Sequence, residues 1–185
     1  MANQKIKIYT RAGDKGKTYL ANGKKISKDS PEITALGSID ELNASIGVAV
    51  SFIKEKGVVK LLQDVQKDLL NIGAEIGNSG QSAKNTSKLY PIDKDKIVEL
   101  ESFIDLFSKK IPEIQTFIVP TGKTEFALLN FSRTVCRRAE RDLVSLNKKR
   151  KVNPNILAYT NRVSDLLFIV ARYLNRGREK LWESG

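Results

Sequence analysis

The sequence has 185 residues, of which 41% are hydrophobic, 29% charged and 7% aromatic; a chain of that balance and length buries a core without disulfides or metals. It contains no histidine and one cysteine, Cys136, which excludes Ser-His-Asp and Cys-His catalysis, histidine-ligated metals, a cysteine zinc site and an internal disulfide. Thirty-two Lys and Arg against 21 Asp and Glu give a net charge of +11, a balance that attracts nucleic acid, phosphorylated small molecules or acidic lipid surfaces.

Along the chain, residues 1–32 are rich in Gly, Lys, Thr and Asp without helical periodicity; they read as a short extended piece, Lys5 to Thr10, followed by a glycine-punctuated loop. From about Ile33 the pattern turns helical. Ile39, Leu42, Ile46, Ala49 and Ile53 form one stripe, and after Gly57 a second stripe holds Val58, Leu61, Leu62, Val65, Leu69, Ile72 and Ile76. Residues 77–92 read as a polar loop. A third helix fits Asp93 to Ile111, with Ile97, Leu100, Ile104 and Phe107 inward and Pro112 as its stop. Thr116 to Val119 is a short β-branched and aromatic piece ending in the turn Pro120-Thr121-Gly122. A fourth helix runs from about Thr124 to Leu146, with Leu128, Phe131, Val135, Ala139, Leu143 and Leu146 inward. A basic linker, Lys148 to Lys151, then leads through Pro154 to a fifth helix ending near Arg178. The expected fold is all-α, a five-helix bundle over 33–178 carrying the extended, glycine-rich N-terminal loop, in one domain over 1–185. No apolar run approaches the roughly 20 residues of a membrane span, and Met1 to Ile6 lacks the apolar centre of a signal peptide, so a cytoplasmic protein without membrane contact is expected.

Four groups of residues could carry chemistry. Thr10 to Thr18 sets Gly13 and Gly16 three apart among Arg11, Lys15 and Lys17, so backbone amides and cations could converge on an anion. It lacks the spacing of a Walker A loop, and taken alone such a segment is more often a flexible surface turn. Arg133, Arg137 and Arg141 stack at i, i+4 on the fourth helix, with Arg138 and Glu140 beside them. Such a ladder suits bidentate phosphate or carboxylate partners, although a solvated basic face or a nucleic-acid backbone contact gives the same pattern. Asp40 interrupts the first apolar stripe, where it could meet an arginine of the fourth helix in a functional or a purely structural pair. Tyr159, Asn161, Arg162 and Asp165 open the fifth helix, and Asn161 and Asp165, one turn apart, are expected to face inward as a buried polar pair that needs a partner or a ligand. Cys136 reads as a small core residue.

In this order the segments Tyr9 to Thr18, Leu36-Gly37-Ser38-Ile39-Asp40-Glu41-Leu42-Asn43-Ala44-Ser45-Ile46-Gly47, Phe117-Ile118-Val119-Pro120, Arg133 to Arg141 and Asn161 to Phe168 resemble the PduO-type ATP:cob(I)alamin adenosyltransferases. The resemblance implies a homotrimer with ATP at the subunit interface. It also implies transfer of the 5′-deoxyadenosyl group of ATP to cob(I)alamin, giving adenosylcobalamin and triphosphate, with Mg²⁺ as cofactor and a reductase supplying the reduced corrin. By resemblance Thr10, Arg11, Ala12, Gly13, Asp14, Lys15, Gly16, Thr18 and Tyr19 wrap the triphosphate, which Lys28 also reaches. Arg137 and Glu140 match residues at the nucleotide and its metal, with Arg138 and Arg141 nearby and Asn161 on the nucleotide. Asp40 and Arg133 match an intersubunit salt bridge near the corrin, and Phe117 an aromatic that closes its lower face and displaces the axial base.

The chain departs from the family pattern at Thr121, where a glycine is usual, and at Asn130, where a histidine is usual; both bear on the corrin side. Two alternatives carry other classes of function: a nucleotide-binding bundle without corrin activity, and a basic bundle that binds nucleic-acid backbone, whose affinity would fall steeply with salt.

Overall fold

The computed structural model describes residue 9, residues 11–78 and residues 91–182. Lys5 to Ile8, Thr10 and most of the polar loop expected over 77–92 lie outside the described residues. Five helices carry the fold: α1 Pro31–Val50, α2 Lys56–Gly77, α3 Lys94–Ser108, α4 Thr124–Lys149 and α5 Pro154–Leu174. Ser30 starts α1, its Oγ accepting from the Ile33 amide at 3.5 Å with Pro31 in the first turn, and Asp93 caps α3 in the same way through the Lys96 amide.

The lateral order of the helices is α2, α1, α4, α5, α3. Two contacts in each of three neighbouring pairs give their relative directions. Leu36 lies by Gly73 and the Asn43 and Gln66 side chains exchange hydrogen bonds with each other's backbone, so α1 and α2 run antiparallel. Ser38 donates to Asp142 and Glu41 pairs with Arg138, which makes α1 and α4 antiparallel too. Arg162 meets Glu101 and Tyr173 meets Phe107, so α3 and α5 are parallel. One contiguous cluster of buried side chains joins all five helices, with Leu42, Ile46, Leu62, Leu69, Leu129, Leu143, Ile156 and Tyr159 fully enclosed.

Two corrections concern core phase. Phe131, expected inward, is 56% exposed, while Phe126, Leu129 and Ser132 are buried. Tyr159, a candidate site residue, is a core residue whose hydroxyl donates to the buried Asp68 carboxylate at 2.8 Å; burial, then the charge of Asp68, pushes its pKa far up.

Outside the helices the described residues form two small antiparallel pairs. β1 Lys17–Tyr19 pairs with β2 Lys25–Ser27, and β3 Ile118–Val119 pairs with β4 Lys180–Leu181. The first hairpin sits where α2 ends, since Leu20 is buried and Ala21 lies against Gly77. That end also holds the end of α4, because Arg150 donates to the Ile76 carbonyl at 2.9 Å. The β3–β4 pair lies at the opposite end, where Lys123, just before α4, donates to the Leu174 carbonyl at the end of α5. Among the described residues no helix is long and apolar enough to cross a membrane.

Candidate functional site

The N-terminal segment folds into tight turns. The Asp14 amide donates to the Arg11 carbonyl, the Gly16 amide to the Gly13 carbonyl at 3.2 Å, and the Lys28 amide to the Gly16 carbonyl at 2.9 Å. Gly16 sits at φ +72° and so has the left-handed backbone that glycine adopts without strain. A Cβ on Gly13 would stand 3.0 Å from the Lys28 ammonium. Gly13 and Lys28 therefore converge, and the turn presents backbone beside a cation, as an anion cradle requires. Arg11, Ala12, Asp14, Lys15, Gly16 and Tyr19 are exposed and Thr18 half-buried around it. The Arg11 guanidinium lies 5.7 Å from the Tyr9 ring centroid, and Lys25 5.6 Å from that of Tyr19. Thr10 is not among the described residues.

The arginines of α4 have different partners although they share a helix. Arg138 is committed to Glu41 of α1. Arg141 donates to the Arg137 carbonyl at 3.1 Å. Arg133 is half-buried, donates weakly to Asn130 Oδ1 at 3.4 Å, and lies 5.8 Å from the Phe168 ring centroid. Burial, then the charge of Arg137, pulls its pKa below the usual arginine value, and among the described residues no carboxylate pairs with it. Arg137 itself is exposed and its guanidinium has no partner among the described residues.

One turn on, Glu140 Oε1 accepts from Asn161 Nδ2 of α5 at 3.0 Å, and Asn161 Oδ1 accepts from Arg162 at 2.8 Å. Arg162 is fixed in turn by Glu101 of α3 at 2.7 Å. This chain Glu101–Arg162–Asn161–Glu140 crosses three helices and holds one carboxylate next to Arg137. A surface depression of about 430 Å³ is lined by Arg137, Glu140, Arg141, Val144, Ser145 and Lys148, a cationic hollow with one carboxylate and one apolar wall.

Several other candidate residues lie elsewhere than the sequence suggests. Asp165 is not turned inward: its side chain is 55% exposed and 3.7 Å from Arg162. Partial burial, helped by Glu140 and opposed by Arg162, still raises its pKa. Asp40 is exposed and without a partner among the described residues; the α1–α4 ion pair is made by Glu41. Asp40 instead lines a second groove of about 420 Å³ with Leu36, Gly37, Asn43, Leu70 and Gly73, where Leu70 is 62% exposed. Cys136 is buried, donates to the Thr160 carbonyl, and burial, then the charges of Glu140 and Asp165, pushes its thiol up to about 12. It is a core residue. Asn130 is buried and donates to the Phe126 carbonyl at 3.0 Å, which holds its oxygen toward Arg133.

Phe117 stands at the far end of the bundle, 79% exposed. Arg133 lies one helical turn, about 6 Å of rise, before Arg137. Phe117 thus precedes the first turn of α4, while Arg137, Glu140 and Arg141 lie in its second half, so the two candidate regions are set apart along the helix.

Residues 8–174 match the model of the cobalamin adenosyltransferase family. The chain belongs to that family. It is 39% identical over 170 residues to the corrinoid adenosyltransferase of Bos taurus, covering 90% of this chain and 70% of that one. It is 36% identical over 187 residues to the cobalamin adenosyltransferase of Cupriavidus metallidurans, covering 99% and 97%. A variant of the PduO-type ATP:corrinoid adenosyltransferase from Lactobacillus reuteri, solved in complex with cobalamin and ATP, superposes with a TM-score of 0.88 at 31% identity over 96% of this chain and 100% of that one.

Residues that the sequence pattern alone did not single out are Glu101, Phe168, Arg172, Glu179 and Trp182. Each acts through a partner on a different element, and local spacing carries no signal for that.

Proposed function

We propose that this chain carries out its family's reaction, ATP-dependent transfer of the 5′-deoxyadenosyl group to a corrinoid, with the α4 hollow and the N-terminal turn holding the triphosphate and Phe117 and Arg133 on the corrin side. The family match over 8–174 and the complex of a similar protein with cobalamin and ATP support the reaction. The observation that carries the residue roles is Arg137, an exposed α4 guanidinium without a hydrogen-bond or ion-pair partner among the described residues, beside the Glu140–Asn161 pair.

In the transfer the cobalt(I) electron pair forms the Co–C5′ bond while the C5′–O bond breaks and its electrons leave with triphosphate. No proton moves at the reacting centre, so a chain without histidine lacks nothing the step needs. The protein's task is to align C5′ with the cobalt, exclude water and stabilise the leaving charge. Arg137 supplies a bidentate donor for phosphate oxygens, and Arg141 adds charge one turn on. Arg138, engaged by Glu41, lies beside them. Lys28 and Arg11, at the 11–16 turn, enclose the other end of the triphosphate, together with Asp14, Lys15, Thr18 and Tyr19.

Mg²⁺ fits this donor set. Among the described residues no cluster of three metal-binding side chains exists, and Mg²⁺ typically takes one or two carboxylates with phosphate oxygens and water filling the rest. Glu140, held by Asn161, is that carboxylate; the ion would neutralise developing triphosphate charge.

A homotrimer is the assembly we infer. Asp40 and Arg133 each lack an ion-pair partner within the described part of the chain, and the groove beside Asp40 exposes Leu70. A neighbouring copy would pair those charges and cover that groove. The corrin must arrive as cobalt(I), so a separate reductase is required, and we assign the reaction to the cytoplasm.

Binding measurements on two variants test the division of the site. Lys28→Ala weakens ATP affinity by about tenfold, the loss of one charge-assisted contact, and leaves corrinoid affinity unchanged. Phe117→Ala slows transfer and leaves ATP affinity intact; a large loss of ATP affinity in that variant contradicts the assignment.

A further inference from the structure

The C-terminal residues after α5 form a set of contacts that the nucleotide side does not use. Arg176 and Gly177 take φ values of +57° and +63°, and the Gly177 amide donates to the Arg172 carbonyl at 3.0 Å, so α5 stops at Leu174 rather than near Arg178. A Cβ at Gly177 would stand 2.6 Å from Pro112 Cδ, so the reversal requires glycine. It returns the chain to β3: Lys180 and Leu181 pair with Val119 and Ile118, and the Trp182 amide donates to the Phe117 carbonyl at 2.8 Å. The Trp182 indole meets the Phe117 ring edge-on, at 6.4 Å between centroids and 73° between planes.

A ladder of two residues a side has little stability of its own. Its anchor is Arg172, 4% exposed. Arg172 Nε donates to the buried Glu179 carboxylate and Nη2 to the Pro112 carbonyl at 2.8 Å. Glu179 immediately precedes β4 and Pro112 lies on the approach to β3, so one guanidinium ties down both strands. The same guanidinium lies 5.9 Å from the Phe168 ring centroid, and Arg133 lies 5.8 Å from that ring. Desolvating an ion pair to this degree is costly; apolar side chains would fill the space equally well but would not fix the direction of the two strands.

We propose that Arg172, Glu179 and Trp182 form a positioning clasp that aims Phe117, and through Phe168 braces Arg133, so that the clasp governs corrinoid binding and axial-base displacement without touching the nucleotide. The inference rests on the assignment of Phe117 to the corrin side. Arg172, Glu179 and Trp182 are positioning residues; Phe117 is the group that meets the corrin.

The test measures KM for cob(I)alamin and for ATP separately in Glu179→Gln, Trp182→Ala and Trp182→Phe, together with the absorbance of enzyme-bound cob(II)alamin in the presence of ATP. Trp182 is 54% exposed, so its variants fold even if Glu179→Gln does not. Glu179→Gln and Trp182→Ala raise the corrinoid KM by about five- to tenfold, the value of a lost aromatic pair or of an aim now averaged over several poses. ATP KM stays within about twofold, a change too small to represent a lost contact. Both variants lose the base-displaced spectrum, and Trp182→Phe recovers it. Trp182 is the only tryptophan, so its emission reports the clasp directly and shifts to the red in Glu179→Gln. Phe117→Ala is measured alongside. If it alters the corrinoid KM and spectrum while Glu179→Gln and Trp182→Ala do neither, the clasp is overturned and the assignment of Phe117 stands. If Phe117→Ala also changes nothing, the corrin-side assignment itself fails.

Discussion

Arg137→Ala removes the one α4 guanidinium in this part of the helix that has no partner among the described residues. Arg138 is engaged by Glu41 and Arg141 donates to a backbone carbonyl, so neither can swing over at no cost to replace it. A hydrogen bond to a charged group contributes about 1.5–3 kcal/mol, and a guanidinium on phosphate commonly makes two. The expected loss is thus about 3–6 kcal/mol in kcat/KM for ATP, or roughly two to four decades. Folding is unaffected, because Arg137 is exposed and supports nothing in the bundle. Arg138→Ala is the comparison: it gives up a partly exposed ion pair with Glu41, worth about 0.2–1 kcal/mol of stability, and lowers kcat/KM far less. The assay is anaerobic, with reduced corrinoid saturating and ATP varied, and circular dichroism verifies the fold of each variant. An Arg137→Ala enzyme with unchanged kcat/KM, or an Arg138→Ala enzyme more impaired than Arg137→Ala, refutes the reasoning.

Other outcomes follow from the same geometry. Glu140→Gln keeps an oxygen to accept from Asn161 but loses the charge, so the Mg²⁺ concentration for half-maximal rate rises by about tenfold; an unchanged Mg²⁺ dependence removes Glu140 as the metal's carboxylate. Cys136, with its thiol pushed up to about 12, does not react with a disulfide reagent at pH 8 until the chain is denatured, when one equivalent is titrated; rapid native labelling would contradict its burial. Because the folded thiol holds its proton more tightly than the unfolded one, its contribution to stability is complete below about pH 9 and is lost as pH rises toward 12. Denaturant midpoints of Cys136→Ala therefore fall less steeply across that range than those of the unaltered chain. Leu129→Ala, at a fully buried position of α4, costs about 2–5 kcal/mol and is read as a lower Tm; a shift near zero would mean that α4 packs in another phase.

The helices were legible because their apolar residues recur at the spacing that burial demands: Ile39, Leu42, Ile46 and Ala49 are all buried on α1. Their exact facing was less so. On α4 two overlapping series of large residues satisfy the same spacing, and the one containing Phe131 loses to the one containing Phe126 and Leu129, with Ser132 enclosed between helices. Neighbours on a helix differ by about 100°, which is why Glu41 rather than Asp40 reaches Arg138. The hairpin of β1 and β2 was invisible to periodicity, since an alternation of only three residues, exposed at both ends, is too short to register as a strand. The end of α5 followed from Gly177 and its contact with Pro112, which lies 65 positions earlier in the sequence. The turn at Gly13 and Gly16 and the stacking of Arg133, Arg137 and Arg141 along α4 were readable from residue types and spacing alone. That Glu140 is held by Asn161, and Asn161 by Arg162 and Glu101, depends on three helices meeting.

The central claim is tested most directly by mixing the protein anaerobically with chemically reduced cob(I)alamin, ATP and Mg²⁺ and following the corrin absorbance while assaying the phosphate product. The account predicts conversion to adenosylcobalamin with one triphosphate released per turnover. ATP binding with no change in the corrin spectrum would contradict it, and would leave a nucleotide-binding bundle without corrin activity.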